Sequence, residues 1–436
     1  MRYILLLIAS AALCLPSFGQ NLNQQIDEKA QAIENQVVDW RRDIHQHPEL
    51  SNREFKTAEK IAEHLKSLGI EMTTGVAHTG VVGVLKGGQP GPVVALRADM
   101  DALPVTERVD IPFASKAVAE YNGEEVGVMH ACGHDTHVAI LMGVAQVLSD
   151  MRDDLPGTVK FIFQPAEEGA PEGEEGGAEL MVEEGALKNP DVDTIFGLHI
   201  NSKTKVNTIG YRPEGTMAGV DNLEIKVKGA QTHGAYPWAG VDPIVTASQI
   251  VMGLQTIVSR NLEIIKAPAV VTIGKIDGGV RSNIIPEEVT MIGTIRSLDP
   301  EMQDKIHQRI REIATNIGES AGAEVEVNIK KGYPVTYNDP ELTAQMVGTL
   351  QDVAGKDNVF LRYPVTGAED FSFFAQEVPG FFFFLGGMPA DISPEEAAPH
   401  HTPDFFIDDS GLTLGVRALS QLTVDYMNQY KPEMGK

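Results

Sequence analysis

Cysteine is nearly missing: the 436 residues include two, and the first, Cys14, falls within the opening segment MRYILLLIASAALCLPSFGQ. That segment has one Arg, an unbroken apolar stretch from Ile4 to Leu15 and small residues at Ser17 and Gly19, the pattern of a signal peptide over residues 1–20. Leu13 is bulky where a lipoprotein signal needs a small residue, so cleavage near Gly19 or Gln20 is expected, with release to the periplasm or the medium. The mature chain then keeps Cys132 alone, which excludes an intrachain disulfide. A single thiol in an oxidising compartment is a liability unless it is buried, bound to a metal or catalytic.

Basic charge is short as well. There are 35 Lys and Arg against 61 Asp and Glu, a formal net charge of −26. A surface of that sign repels polyphosphate and anionic membranes and attracts divalent cations, so nucleic acid is excluded as a partner. Long apolar runs are missing too: after Leu15 nothing approaches the ~20 residues of a membrane-spanning helix, and no membrane association is expected once the leader is removed.

What is present exceeds one hydrophobic core, since cores stop growing near ~250–300 residues and over 400 remain. Helical periodicity runs from about Leu22 to Ile44 and again from Phe55 to Leu68, where Gly69 supplies a stop. Three apolar runs, Val93 to Ala98, Thr158 to Phe163 and Thr194 to Leu198, have the texture of buried strands. Each is followed by ionisable residues: Asp99 and Asp101, Glu167 and Glu168, and His199. In open α/β sheets ligands bind beyond the carboxyl ends of the strands, so these groups are expected to converge. Between Pro213 and Lys331 the texture changes to strict alternation at Asn222–Lys228 and a β-α-β-β-α-β order, which is ferredoxin-like. The spacing therefore predicts an α/β domain of residues 21–212 and 332–436 carrying an inserted α+β domain of residues 213–331. Glu168 to Gly177, rich in Gly and Glu, reads as a solvated loop.

The densest chemistry is His130-Ala-Cys-Gly-His-Asp-Thr-His137. Cys and His at short spacing are what zinc-class ions select, and Gly133 lets the chain turn so that Cys132 and His134 face one ion. Glu167 and Glu168 follow a strand, where adjacent side chains diverge, so one carboxylate can bind metal while the other faces substrate. His199 at a strand end and His400-His401 near the C-terminus would each pass as ordinary residues alone. Together with the Cys-His and Glu-Glu groups they supply enough N, O and S donors for two ions. His233, Asn283 and Arg296, in the inserted domain, have the composition of routine turn and strand residues.

The segments ADMDALP (Ala98 to Pro104), MHACGHDTH (Met129 to His137), QPAEEG, GLH (Gly197 to His199), THGAYP, SNIIP, GAEDFS (Gly367 to Ser372) and HHTPDF occur in that order. Together they resemble the M20 peptidase family, most closely its branch of hippurate, N-acyl-amino-acid and indole-acetyl-amino-acid hydrolases. The resemblance covers essentially the whole mature chain. It implies a two-metal α/β domain and a smaller domain that closes over substrate and forms a homodimer. Cys132, His134, Glu168, His199 and His401 become the ligands of two divalent ions, zinc or manganese, and Glu167 the general base. Asp101 matches an aspartate that orients a ligand, His233 a histidine that reaches the substrate carbonyl, often from the partner subunit, and Asn283 a residue near the substrate carboxylate. The implied reaction is hydrolysis of an N-acyl amino acid, or of a short peptide by a dipeptidase or carboxypeptidase of the same family. Two rivals stand beside it: a thiol hydrolase using Cys132 and His134, and a secreted metal-binding protein without turnover.

Overall fold

The computed structural model describes residues 18–430. Most of the expected signal peptide therefore lies outside the described residues. Helices α1 (Phe18–Ala32), α2 (Glu34–Gln46) and α3 (Phe55–Ser67) come first, then β1 (Glu71–Val76), β2 (Gly80–Lys86), β3 (Gln89–Asp99) and a hairpin of β4 (Val118–Tyr121) and β5 (Glu124–Gly127). The chain continues through α4 (His134–Ser149), β6 (Pro156–Gln164), α5 (Gly177–Glu183), β7 (Thr194–Lys205), β8 (Ile209–Tyr211) and β9 (Glu214–Met217). The helix expected from Leu22 to Ile44 is two helices, because Ile33 leaves the helical region with ψ of 7°.

Next come β10 (Gly219–Lys228), β11 (Thr232–His233), α6 (Pro243–Thr256), β12 (Ala269–Asp277), β13 (Ile284–Ile285), β14 (Glu288–Ser297), α7 (Pro300–Ala321) and β15 (Glu324–Lys331). The last stretch holds β16 (Thr336–Asn338), α8 (Pro340–Ala354), β17 (Val359–Leu361), α9 (Phe371–Glu377), β18 (Gly380–Met388) and α10 (Leu412–Gln429).

Two sheets organise these elements. The larger has eight strands in the order β1-β2-β6-β3-β7-β18-β8-β17, and its centre, β6-β3-β7-β18, is parallel. Parallel strands covered on both faces are largely apolar, as the buried runs of β18, β3 and β6 are apart from Arg97 and Asp99 in β3 and Lys160 and Gln164 in β6. Phe381 to Phe384 belong to this buried strand and are at most 3% exposed. The four-stranded sheet β12-β14-β10-β15 is antiparallel, and β10 alternates buried with more exposed residues as its sequence requires. Helices α6 and α7 start at Asp242 and Asp299, whose carboxylates accept backbone N–H groups at 2.9 and 2.8 Å, each followed by Pro. They bury Ile250, Leu254, Ile306 and Ile310 against Leu223, Ile225 and Ile295, a core distinct from that of the larger sheet. No helix among the described residues is long and apolar enough to cross a membrane.

Candidate metal centre

The carboxyl ends of β3 and β6, a residue within β7 and the first turn of α4 deliver the chemistry-bearing side chains to one place. Gly133 precedes α4 with φ of 95°, a left-handed turn that a side chain would obstruct, since a Cβ there would lie 2.3 Å from Ile200 Cγ2. This turn separates its neighbours. The donor atoms of Cys132, Glu168 and His401 lie within 4.8 Å of one another, and those of His134, Glu167 and Glu168 form a second such group. Cys132 and His134, expected to face one ion, thus fall in two groups that meet at Glu168: Cys132 ends the loop, whereas His134 already belongs to the helix.

Hydrogen bonding sorts the histidines. His134 donates from Nδ1 to the Asp101 carbonyl at 2.9 Å, and its Nε2, fully buried, has no partner among the described residues. His199 donates from Nδ1 to the Ile200 carbonyl at 2.6 Å and turns Nε2 toward Cys132 Sγ at 3.4 Å. His401 places Nε2 at 3.3 Å from the same sulfur and 3.0 Å from Glu168 Oε1. In each, Nε2 is the nitrogen turned toward the other donors. Two neighbours are already committed. His137 donates from Nδ1 to Asp99 at 2.5 Å and accepts the Ile200 N–H at Nε2. His400 accepts the Ser202 N–H at Nε2 (3.2 Å), which leaves its Nδ1–H for the Cys132 carbonyl.

The carboxylates divide in the same way. Asp101 Oδ1 and Oδ2 accept the N–H groups of Glu167 and Glu168 at 3.1 and 3.0 Å, and Oδ1 also faces His134 Nδ1 at 3.2 Å. Burial opposes the Asp101 charge, but these donors outweigh it and hold its carboxyl below the usual range. Glu167 is 6% exposed; burial and the nearby Glu369, Glu168, Asp370 and Asp99 push its pKa well up. His134 is pushed up to about 10 despite burial, because Asp99, Asp101 and Glu168 surround it. A field that holds a proton so firmly is also one that would hold a divalent cation.

Several partners escaped the sequence reading. Arg97, 1% exposed, donates to Gln164, Asp99, Glu369 and Asp370 at 2.7 to 2.9 Å, binding the ends of β3 and β6 to the segment before α9. A cation inside the apolar run of β3 was the available signal. Tyr333 donates its hydroxyl to the Glu167 carbonyl at 2.8 Å. The loop after Glu168 is solvated as expected, with residues 172–175 exposed, but Asn52 and Arg53 tether it by donating to Glu174 at 3.1 and 3.0 Å.

A cleft of about 530 Å³ opens over Cys132, Glu167, Glu168, His199 and His401, with Arg296 and Arg362 on its wall. Arg362 has no acidic partner among the described residues and lies 3.5 Å over the Phe384 ring. His233 and Asn283 are outside this cleft. They are exposed and adjacent to each other through the pairing of β11 with β13, where the Gly234 N–H donates to the Asn283 carbonyl at 2.8 Å.

Residues 95–425 match the family described as Peptidase family M20/M25/M40. The chain belongs to that family. It is 40% identical over 411 residues to thermostable carboxypeptidase 2 of Saccharolobus solfataricus, covering 94% of this chain and 100% of that one. It is 37% identical to N-acetyl-L-cysteine deacetylase of Bacillus subtilis (87% of this chain, 85% of the relative). With IAA-amino acid hydrolase ILR1-like 2 of Arabidopsis thaliana the identity is 38% (90% and 87%). Among solved structures, the YxeP protein of Bacillus subtilis, described as a dinuclear metal binding peptidase from the M20 family, matches with TM-score 0.76 at 34% identity, over 92% of this chain and 100% of that one. The mixed α/β fold is thus that of M20 peptidases, and the chain is a hydrolase of that family.

The residues present fit two such ions. Around a tetrahedral ion with bonds of about 2.0–2.3 Å, ligand atoms sit roughly 3.3–3.8 Å apart. The sulfur of Cys132 lies 3.4 and 3.3 Å from the imidazole nitrogens of His199 and His401. His134 Nε2, buried and without a hydrogen-bond partner among the described residues, lies 4.0 Å from Glu168 Oε1, the oxygen that also faces His401. Acceptor atoms left without donors in a protein interior are costly unless a cation serves them.

Proposed function

We propose that the protein hydrolyses the amide bond of N-acyl amino acids, releasing a carboxylate and a free amino acid, with two divalent ions as cofactors. The observation that carries this reading is the meeting of two donor groups at Glu168, beside the buried carboxylate of Glu167. Cys132, His134, Glu168, His199 and His401 would hold the ions; thiolate suits zinc, and the carboxylate and imidazole donors tolerate manganese. Such ions supply Lewis acidity toward water and the amide carbonyl. Glu167 takes the proton from the attacking water and returns it to the leaving nitrogen, a double task that its raised pKa suits. Asp101 orients base and ligand together, because its two oxygens hold the amides of both glutamates. Arg362 and Arg296 match the carboxylate of an amino acid in the cleft.

Residues 213–331 are read as a ferredoxin-like lid and dimerisation domain, from which His233 reaches the substrate carbonyl and Asn283 its carboxylate, across to the partner subunit. The leader sends the protein to the periplasm or the medium. The test is a screen of acetyl, benzoyl and indole-acetyl amino acids after reconstitution with zinc or manganese. Turnover of one acyl class, abolished by chelator and restored by the ion, is expected. Dipeptides belong in the same panel, because the similarity to a carboxypeptidase favours peptide cleavage as the second reading. No turnover at full ion stoichiometry would indicate a scavenger. Activity that survives chelation but not alkylation would indicate a thiol enzyme, against which burial and nearby acids already push the Cys132 thiol up.

A further inference from the structure

Glu54 precedes α3, far in sequence from every residue of the metal centre, and its side chain is fully buried. Its Oε2 accepts the Thr79 hydroxyl at 2.6 Å, and its Oε1 accepts the Ala166 N–H at 3.0 Å. Ala166 stands directly before the two glutamates of the site and has φ of 54°, a left-handed conformation that an alanine rarely adopts without restraint. Three successive amides, those of Ala166, Glu167 and Glu168, therefore end on carboxylate oxygens, the first on Glu54 and the others on Asp101. Neither carboxylate lines the cleft, so each acts on it through the backbone it holds.

We propose that Glu54 is a positioning residue for hydrolysis: by holding Ala166 in its strained conformation it aims the Glu167 carboxylate into the cleft. The segment Pro165–Glu168 leaves β6 with its amides held by Glu54 and Asp101, while Tyr333 donates to the Glu167 carbonyl and the Gly169 N–H to the Ala166 carbonyl. Asp101 fixes the two glutamate amides but exerts no hold on the residue at which the chain turns. Without Glu54 the Ala166 N–H would be buried and unpaired, and the residue would relax toward negative φ, rotating the peptide that leads into Glu167. Small misplacement of a general base lowers turnover far more than substrate binding.

The inference rests on the reading of Glu167 as the proton carrier, so Glu167→Gln is measured beside it. Glu54→Leu, which fills the space but accepts nothing, is expected to lower kcat roughly tenfold or more while KM stays within about threefold. Glu54→Gln keeps an acceptor for Ala166 and should stay near the native kcat. In crystals of the metal-free Leu variant, Ala166 should have left positive φ. If Glu54→Leu fails to fold, Glu54→Asp, one methylene too short for the Ala166 amide, carries the same expectation. Native kcat in these variants with Glu167→Gln inactive would overturn the positioning role alone, as would equal losses in the Gln and Leu variants. A fully active Glu167→Gln would instead overturn the reading on which it rests.

Discussion

Glu167 and His401 each sit beside a neighbour of the same type, and hydrogen bonding tells the members of each pair apart. Glu168 Oε1 faces His401 at 3.0 Å and completes both donor groups, whereas Glu167 is buried among acids that keep its proton affinity high. Glu167→Gln is therefore expected to retain two ions by elemental analysis while kcat falls by about 10²–10⁴-fold; a variant with native kcat would remove Glu167 from the mechanism. For the histidines, Ser202 and the Cys132 carbonyl engage both nitrogens of His400, whereas His401 turns Nε2 to the Cys132 sulfur and Glu168. His401→Ala should lose bound metal outright. His400→Ala should keep the stoichiometry and weaken affinity by only about 10–100-fold, the usual effect of removing a group that supports a ligand rather than being one. Competition with a metallochromic chelator measures both. Cys132 and His134 were legible in the sequence because short Cys-His spacing carries its own signal; His199 stood out only in company with them, and it lies within β7, which runs on to Lys205, not at the strand end expected for it. Glu54 and Arg362 were not legible, because what distinguishes them is a partner, or the lack of one, that only folding reveals.

At the scale of elements, α4 carries much of the site's precision and depends on how it starts and what pins it. Gly133→Ala would force both a left-handed alanine and a Cβ against Ile200, so a loss of about 2–3 kcal/mol in stability, with weakened metal binding, is expected in denaturant melts. Helix α2 pins α4 through His45, which is 1% exposed and lies 2.8 Å from Asp135 and 3.2 Å from Glu107. Burial and Arg41 oppose a proton on His45, but the two carboxylates outweigh them, and its pKa is raised above 6.5. Because the folded pKa lies above the unfolded one, the stability His45 contributes is fully present below pH 6.5 and is lost as pH rises through the folded pKa. The melting temperature should thus fall across that alkaline window in the native protein, and His45→Gln should flatten the slope. An unchanged slope in the variant would assign the effect elsewhere. The three buried strands expected from apolar runs are present as β3, β6 and β7, because interior parallel strands leave little room for polar residues, but β7 runs on to Lys205 where its run was expected to end at Leu198. The break at Ile33 carried no such signal, because no Gly, Pro or cap residue marks it.

The whole molecule leaves one surface unexplained by the single chain. Strand β12 is an edge of its sheet, with Val270 and Ile276 exposed, and α6 beside it exposes Ile244, Val245 and Met252, the last 71% accessible. Open apolar edges of this kind invite pairing with another strand, and two copies joined there about a two-fold axis would bury them symmetrically. The same assembly would give a place to the substrate contact proposed for His233, which is exposed and outside its own cleft. No reading of a single sequence could settle that, because residues that act across subunits have no local partner to betray them. Met252→Glu together with Val270→Lys should yield a monomer in sedimentation velocity, with metal retained and kcat reduced at least about tenfold. In such a two-fold dimer Glu167→Gln and His233→Ala would each disable every site of their own assembly, but a hybrid of the two would have one site with both residues intact if His233 acts across the interface. Mixing them after reversible dissociation should then restore about a quarter of native activity, since half the dimers are hybrids and each has one working site. If His233 instead served its own chain, every site in every dimer would lack one residue or the other, and the mixture would stay inactive.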